Sequence, residues 1–318
     1  MDAKTEKFLE QTCIFCQPWW LEAVSPRQWD IAVVRRGDEV AAVLPYAYRR
    51  RPGGFLLLEM PPLTPYLGPW LRRSDAKYAN RLSEEKKLIS DLIDLLPKFA
   101  VFNQAMHPTV TNWLPFYWRG YNQTTRYSYI INAPLTIEKC WGEIRENIRT
   151  DVRKSQKVVE VRESATPEEF LNLLESTYHR QGKTPPHSEG TIRRLVKACN
   201  EKGACKILLA IDAEGRAHAG IFLVWDSGTV YNLMSGGDPE LRNSGATSLL
   251  MWHAIEFALS QGKNFDFEGS MVEAIERFFR AFGARQVPYF SVSKMNSKIV
   301  QAYRASWKFF HPKRKKAR

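Results

Sequence analysis

Lys206-Ile207-Leu208-Leu209-Ala210-Ile211, Ala219-Gly220-Ile221-Phe222-Leu223-Val224-Trp225 and Thr229-Val230-Tyr231-Asn232-Leu233-Met234 follow one another with only Glu214-Gly215 and Ser227-Gly228 as turn signals between them. Short β-rich runs joined by such turns predict an antiparallel meander of three strands. Downstream, the spacing of Leu249, Leu250, Ile255 and Phe257 predicts a helix over 246–259, closed by Gly262. A strand over 264–268, a helix over 275–282 stopped by Gly283, a strand over 287–292 and a last helix reaching Phe309 complete the reading in that direction. Upstream the theme recurs. Residues 30–35 and 40–44 flank the turn at Gly37-Asp38, a third strand over 55–59 follows Gly53-Gly54, and Leu88, Leu92 and either Leu95 or Leu96 mark one face of a helix over 76–96. Strands near Val101 and over 127–131 close this half.

Several antiparallel strands, a helix and a further strand, given twice, make a mixed α/β (α+β) sheet protein with a duplicated plan. The expected division is 1–135, 136–310 and a basic tail, 311–318. The chain holds no G-x-G-x-x-G, no phosphate-binding Walker loop and no G-x-S-x-G, so dinucleotide, P-loop and α/β-hydrolase chemistry are poor readings.

The 318 residues carry 46 Lys+Arg against 34 Asp+Glu, a net charge of +12. Five of those charges sit in Lys313-Arg314-Lys315-Lys316-Ala317-Arg318, so the remainder is moderately basic. Such a field favours phosphorylated donors, nucleotides, tRNA or an acidic membrane surface. The N-terminus lacks a secretory apolar segment and no apolar run is long enough to span a membrane, which predicts a cytoplasmic protein with at most peripheral membrane contact. Five cysteines, an odd number, read as reduced thiols. Cys13-Ile14-Phe15-Cys16 is a lone C-x-x-C without a second ligand pair, so two half-buried thiols are expected there and no metal site.

Three segments are candidates for chemistry. Arg145, Arg149, Arg153 and Lys157 recur every four residues, beside the apolar Trp141, Ile144, Ile148 and Val152. On a helix they would form one cationic stripe, either a solvated face relieved by Glu146 and Asp151 or a phosphate-binding one. In Asn264-Phe265-Asp266-Phe267-Glu268-Gly269-Ser270-Met271, strand alternation puts Asp266 and Glu268 on one face, about 7 Å apart. A carboxylate there suits deprotonation of an attacking ammonium; the alternative is that it caps a helix or pairs with Arg277 or Arg280. The Gly-rich run 235–246 joins a strand to a helix, and backbone N–H groups after Gly236 and Gly237, with Arg242, could take an anion or form an ordinary loop. Tyr231 and Tyr289 are weaker proton-donor candidates. His179 and His187 flank a loop that could cover a cleft, and His253 reads as structural.

Taken together, Tyr231, Arg242 and Gly245, the helix ending at Gly262, Phe265-Asp266-Phe267-Glu268-Gly269 and Ile275-Glu276-Arg277-Phe278-Phe279-Arg280-Ala281-Phe282-Gly283 resemble the C-terminal GNAT-like domain of Fem-type proteins. Arg149 to Lys157 and Thr177-Tyr178-His179-Arg180 resemble that family's entry into its second domain. The likeness covers about residues 140–295, and the first half matches by overall plan only. It implies two GNAT-like (acyl-CoA N-acyltransferase) domains in tandem and acyl transfer to an amine. No permanently bound cofactor is implied, only a co-substrate, aminoacyl-tRNA or acyl-CoA, and an amine of a small-molecule, cell-envelope or sugar precursor as acceptor. The resemblance departs at Thr247, where the pyrophosphate loop usually has Gly or Ala, and at Phe279, where Fem-type proteins commonly carry Lys. Glu268 and Asp266 are then the expected catalytic pair, Arg242, Gly245, Gly236 and Gly237 the donor site, and Arg149, Arg153, Tyr231 and Arg280 the substrate contacts. A CoA-dependent N-acetyltransferase of a small amine and a non-catalytic RNA-binding protein are the alternatives.

Overall fold

The structure, a computed structural model, describes residues 1–163, 165–180 and 187–297, the side chains of 176–180 excepted. The expected last helix and basic tail lie outside the described residues. In chain order the helices are α1 (Ala3–Leu9), α2 (Pro18–Val24), α3 (Tyr78–Asp94), α4 (Leu114–Trp118), α5 (Ile137–Glu143), α6 (Glu146–Ser155), α7 (Pro167–Arg180), α8 (Glu189–Glu201), α9 (Ala246–Ser260) and α10 (Glu273–Arg280). The strands are β1 (Trp29–Arg36), β2 (Glu39–Arg51), β3 (Phe55–Glu59), β4 (Trp70–Leu71), β5 (Val101–Ala105), β6 (Asn122–Ile131), β7 (Val159–Arg162), β8 (Cys205–Asp212), β9 (Ala217–Trp225), β10 (Thr229–Gly237), β11 (Asn264–Asp266) and β12 (Arg285–Met295).

These elements gather into two compact units, and neither is one continuous stretch. The first comprises Met1–Gln17, Ser25–Thr125 and the chain from Tyr289; the second comprises Pro18–Val24 and Arg126–Pro288. The sequence halves 1–135 and 136–310 are contiguous by construction, because local periodicity carries no sign of long-range pairing.

In the first unit the strand order is β1-β2-β3-β5-β12, with β4 also on β2. β1 and β2 close through Gly37 at φ 59°, a left-handed turn position that glycine adopts without strain. α3 covers this sheet as its spacing demands: Leu88, Ile89, Leu92 and Ile93 are buried with Ala42, Leu44 and Phe102. Of Leu95 and Leu96, the alternatives for that apolar face, Leu96 packs on the core, whereas Leu95 is exposed because the helix has ended at Asp94.

The second unit orders its strands β6-β11-β10-β9-β8-β7. Only β10 and β11 run parallel; the other pairs are antiparallel. One sheet face packs on α5, α6 and α9 through Ile148, Val152, Leu249, Leu250, Ile255, Phe265 and Phe267. α9 is buried around most of its circumference, as an all-round apolar helix must be. The other face takes α7, where Phe170 and Leu173 approach Gly220 so closely that a Cβ there would lie 3.0 Å from Leu173 Cδ2 and 3.1 Å from Phe170 Cδ2. α2 packs on α8, where Arg194 Nε donates to the Ala23 carbonyl at 3.0 Å. Among the described residues no helix is long and apolar enough to cross a membrane.

Candidate functional site

β10 and β11 pair only at Thr229↔Asn264, Val230↔Phe265 and Tyr231↔Asp266. β10 then runs on to Gly237 against β9 alone, while the chain after Asp266 turns aside. Phe267 N–H still donates to the Tyr129 carbonyl at 3.0 Å. Glu268 and Gly269 follow at φ 60° and 66°, both left-handed. The sheet of the second unit is therefore split from Asn232 onward. Just inside the split, the β9 register shifts between Asn232 and Met234, which leaves Leu233 without a partner residue on β9. A bulge of this kind re-aims backbone groups away from the ladder.

Chemistry-bearing groups collect where the strands part. Asp266 is 2% exposed. Its Oδ1 accepts a short hydrogen bond from Ser128 Oγ and another, at 2.7 Å, from the Glu268 backbone N–H. Glu268 Oε1 is sealed from solvent and has no hydrogen-bond partner, and neither does the buried Asn232 Oδ1. Burial first, and then the negative charge of Asp266, raise the Glu268 carboxyl well above the usual carboxylate range. Two buried acceptors without donors, beside an open strand edge, are what a site awaiting an N–H-bearing ligand presents.

The two acidic residues do not share a strand face. β11 ends at Asp266, so the alternation that would align Glu268 with it stops two residues short, and Glu268 reaches the site through a positive φ that a non-glycine residue seldom adopts. Phe265 and Phe267, expected on one face, do pack together edge-on at 4.8 Å in the core. Neither carboxylate pairs with Arg277 or Arg280, whose partners are Glu273 and Glu276.

The expected donor residues divide. Gly236 and Gly237 belong to β10 and pair with Gly220 and Ala219, so their backbone is ladder and not loop. Arg242, in a short 3₁₀ turn, is exposed and has no hydrogen bond or ion pair among the described residues. Gly245 precedes α9 at φ 80°, and a Cβ there would lie 2.6 Å from the Asp151 carbonyl oxygen. Only glycine lets the loop lie against α6 at that distance. The Ser244 hydroxyl accepts the first N–H of α9, that of Ala246, at 3.3 Å, and the start of a fifteen-residue helix attracts anions.

The expected substrate contacts fare differently. Arg149 pairs with Glu146 at 2.6 Å yet keeps a buried Nε without an acceptor. Arg153 shares Glu146 at 3.2 Å and lies over the Trp141 ring. The four-residue stripe does not form on one helix, because Arg145 is the N-cap of α6 and Lys157 lies past its end. Tyr231 is buried and donates to Asp226 at 3.0 Å, which takes up its hydroxyl proton. Arg280 is bound to Glu276, which also accepts from Tyr129 at 2.8 Å. Phe279 stacks on Phe267 in the core. His187 is half-buried, burial lowering its pKa, while the loop before it and the His179 side chain lie outside the described residues.

Two histidine environments went unread in the sequence. His218 is buried with Nε2 2.9 Å from Asp212 Oδ2, and its Nδ1 has no partner. The two residues flank the hairpin turn at Glu214-Gly215, and that flanking position was the available signal. In the first unit His107 lies against Trp70 and Tyr66, and burial pushes it down to about 4. Among the described residues no group of three or more His, Cys, Asp or Glu could hold a metal ion.

A split mixed sheet with a glycine-led helix start beside the parting strand meets its counterpart in sequence: residues 142–287 match the model of the acetyltransferase (GNAT) domain. Residues 142–287 are thus a GNAT-type acetyltransferase domain, and the chain is Fem-like in fold. Solved structures similar to this chain include FemX, 13% identical, covering 91% of this chain and 96% of that one at a TM-score of 0.68. A conserved protein of unknown function from Bacteroides thetaiotaomicron is 13% identical over 93% of each chain, with a TM-score of 0.55. L-PGS from Bacillus licheniformis is 14% identical over 88% of each, with a TM-score of 0.50. At these identities the likeness is one of fold, and the fold is two GNAT-like domains in tandem. None of the curated proteins compared matches the chain.

Proposed function

We propose that this acyltransferase moves an acyl group from an acyl-CoA donor to an amine of a small-molecule, sugar or cell-envelope precursor at the parting of β10 and β11. The observation that carries the reading is the Glu268 carboxyl, its Oε1 buried without a partner and its pKa raised, two residues beyond the last pairing of the two strands. A carboxylate held above its ordinary range is a stronger proton acceptor once ionised. Glu268 takes the proton from the acceptor ammonium, with Asp266 holding the turn through the Glu268 N–H. The amine nitrogen then bonds to the acyl carbon, the carbon–sulfur bond breaks, and the departing thiolate takes up a proton. The backbone freed by the bulge at Leu233 faces the developing oxyanion. Arg242 and the start of α9 hold the donor phosphates, and Arg149, through its free Nε, holds an anionic group of the acceptor or donor.

Aminoacyl-tRNA, in which an ester carbon–oxygen bond breaks instead, is the other donor that this chemistry accommodates. The test is thiol release from acetyl-CoA with a panel of amines, beside transfer of a labelled aminoacyl group from charged tRNA. Glu268→Gln is expected to lower turnover by about 10²–10⁴-fold while donor binding, read by thermal shift, persists. Equal turnover by the variant would remove Glu268 from the mechanism. Salt-sensitive RNA affinity with no transfer to any amine would favour the RNA-binding alternative.

A further inference from the structure

Helix α4 of the first unit turns three of its apolar side chains outward. Pro115 and Phe116 are buried, whereas Leu114, Tyr117 and Trp118 are 40%, 59% and 58% exposed. Trp113, half-buried, meets the Tyr117 ring edge-on at 5.5 Å, so the cluster is continuous. The Tyr117 hydroxyl and the Trp118 indole N–H make no hydrogen bond to the described protein. Lys86 of α3 places Nζ 5.6 Å from the centre of the Trp118 ring.

The charge around this cluster is one-sided. Every carboxylate of α3 is matched by an arginine: Glu84 by Arg72, Glu85 by Arg81, Asp91 by Arg36 and Asp94 by Arg119. Lys86 and Lys87 have no carboxylate partner among the described residues. Flat amphipathic rings with unsatisfied polar tips, bordered by uncompensated lysines, match the boundary between acyl chains and headgroups, and the lysines match anionic headgroups. A protein partner's apolar pocket would leave those tips and both ammonium groups unanswered.

We propose that the face formed by Leu114, Tyr117 and Trp118 with Lys86 and Lys87 is a peripheral membrane-docking surface for an anionic phospholipid bilayer. The inference stands apart from the acyl-transfer reading, since docking is measured with neither donor nor acceptor present. The full chain is sedimented with vesicles of phosphatidylcholine alone and of phosphatidylcholine mixed with phosphatidylglycerol. The wild type binds the mixed vesicles. Tyr117→Ser/Trp118→Ser binds them about tenfold or more weakly, and Lys86→Gln/Lys87→Gln loses the salt-sensitive part of the affinity. Circular dichroism shows both variants folded, since all four side chains point outward; should the aromatic pair fail to fold, Trp118→Gln alone carries the same expectation. The proposal is overturned if the wild type stays in the supernatant with both vesicle types. It is equally overturned if the aromatic variant binds as the wild type does, because another surface such as the basic C-terminal run then docks. A wild-type dimer that the aromatic variant abolishes would assign the face to a second copy of the chain.

Discussion

Gly269→Ala tests the turn on which the candidate site rests. An ideal Cβ at Gly269 would lie 2.1 Å from the Tyr127 carbonyl oxygen and 2.6 Å from Ser128 Cα, all backbone of β6. Nothing flexible can move aside, so either the turn or β6 must shift by about an ångström, an overpacking cost of about 1–3 kcal/mol. The left-handed φ of 66° adds about 1–2 kcal/mol for a residue with a Cβ. Together these give about 2–5 kcal/mol. Gly262 is the internal control: its φ is 65° and a Cβ there meets nothing within 4 Å, so Gly262→Ala should lose only the about 1–2 kcal/mol of backbone strain. Urea unfolding followed by tryptophan fluorescence measures both. The excess loss in Gly269→Ala reports the close approach of the turn to β6. Equal losses in the two variants would mean that the turn does not lie on β6 as described, and with it would go the placement of Glu268 and of the Asp266–Ser128 contact.

Glu268→Gln carries a pH signature apart from turnover. Because the folded carboxyl is raised above its unfolded value, the native protein keeps a proton that the unfolded chain has released, and stability falls as pH climbs. That contribution is complete below about pH 4.3 and is lost as pH rises through the folded value. The glutamine variant should therefore gain on the wild type progressively above about pH 5 in unfolding titrations; a difference independent of pH would show the carboxyl to be unperturbed. Arg242→Ala should leave stability within about 0.5 kcal/mol, since the side chain is exposed and unpaired, yet weaken coenzyme A binding about tenfold by calorimetry. Unchanged affinity would move the donor phosphates elsewhere. Cys205, half-exposed and lowered in pKa by a hydrogen bond from the Cys199 thiol, should be the first thiol to react with a disulfide reagent. Cys13, Cys16, Cys140 and Cys199 are buried and should wait for denaturant. Early labelling of Cys140, which burial pushes up to about 11, would contradict its packing.

Much of the architecture was legible in the sequence because local rules decide it. Gly37, Gly53 and Gly215 sit at left-handed turns between β-rich runs, and α9 ends two residues before Gly262. The site was legible in composition and not in geometry. Nothing local announces that β11 ends at Asp266 or that Glu268 takes a positive φ, since both follow from Gly269 lying on β6, far away in the chain. The extent of β10 was underestimated for a similar reason: Gly236 and Gly237 look like loop residues, but pairing with Gly220 and Ala219 draws them into the sheet. Arg145 and Lys157 have helical spacing, yet they sit where α6 begins and after it ends. The Asp212–His218 contact needed the cross-strand register of β8 and β9.

The last described strand has a bearing on biosynthesis. β12 supplies the partner of β5, from Ser291↔Ala105 to Met295↔Val101, within the unit that contains the N-terminus. A ribosome that has released residues 1–125 has therefore made a sheet whose β5 edge has no neighbour until some 165 further residues have emerged. All of the second unit except Pro18–Val24 is translated in that interval. The unit begun first is closed last, and a nascent chain halted before Tyr289 would expose the β5 edge to chaperones or to other nascent chains.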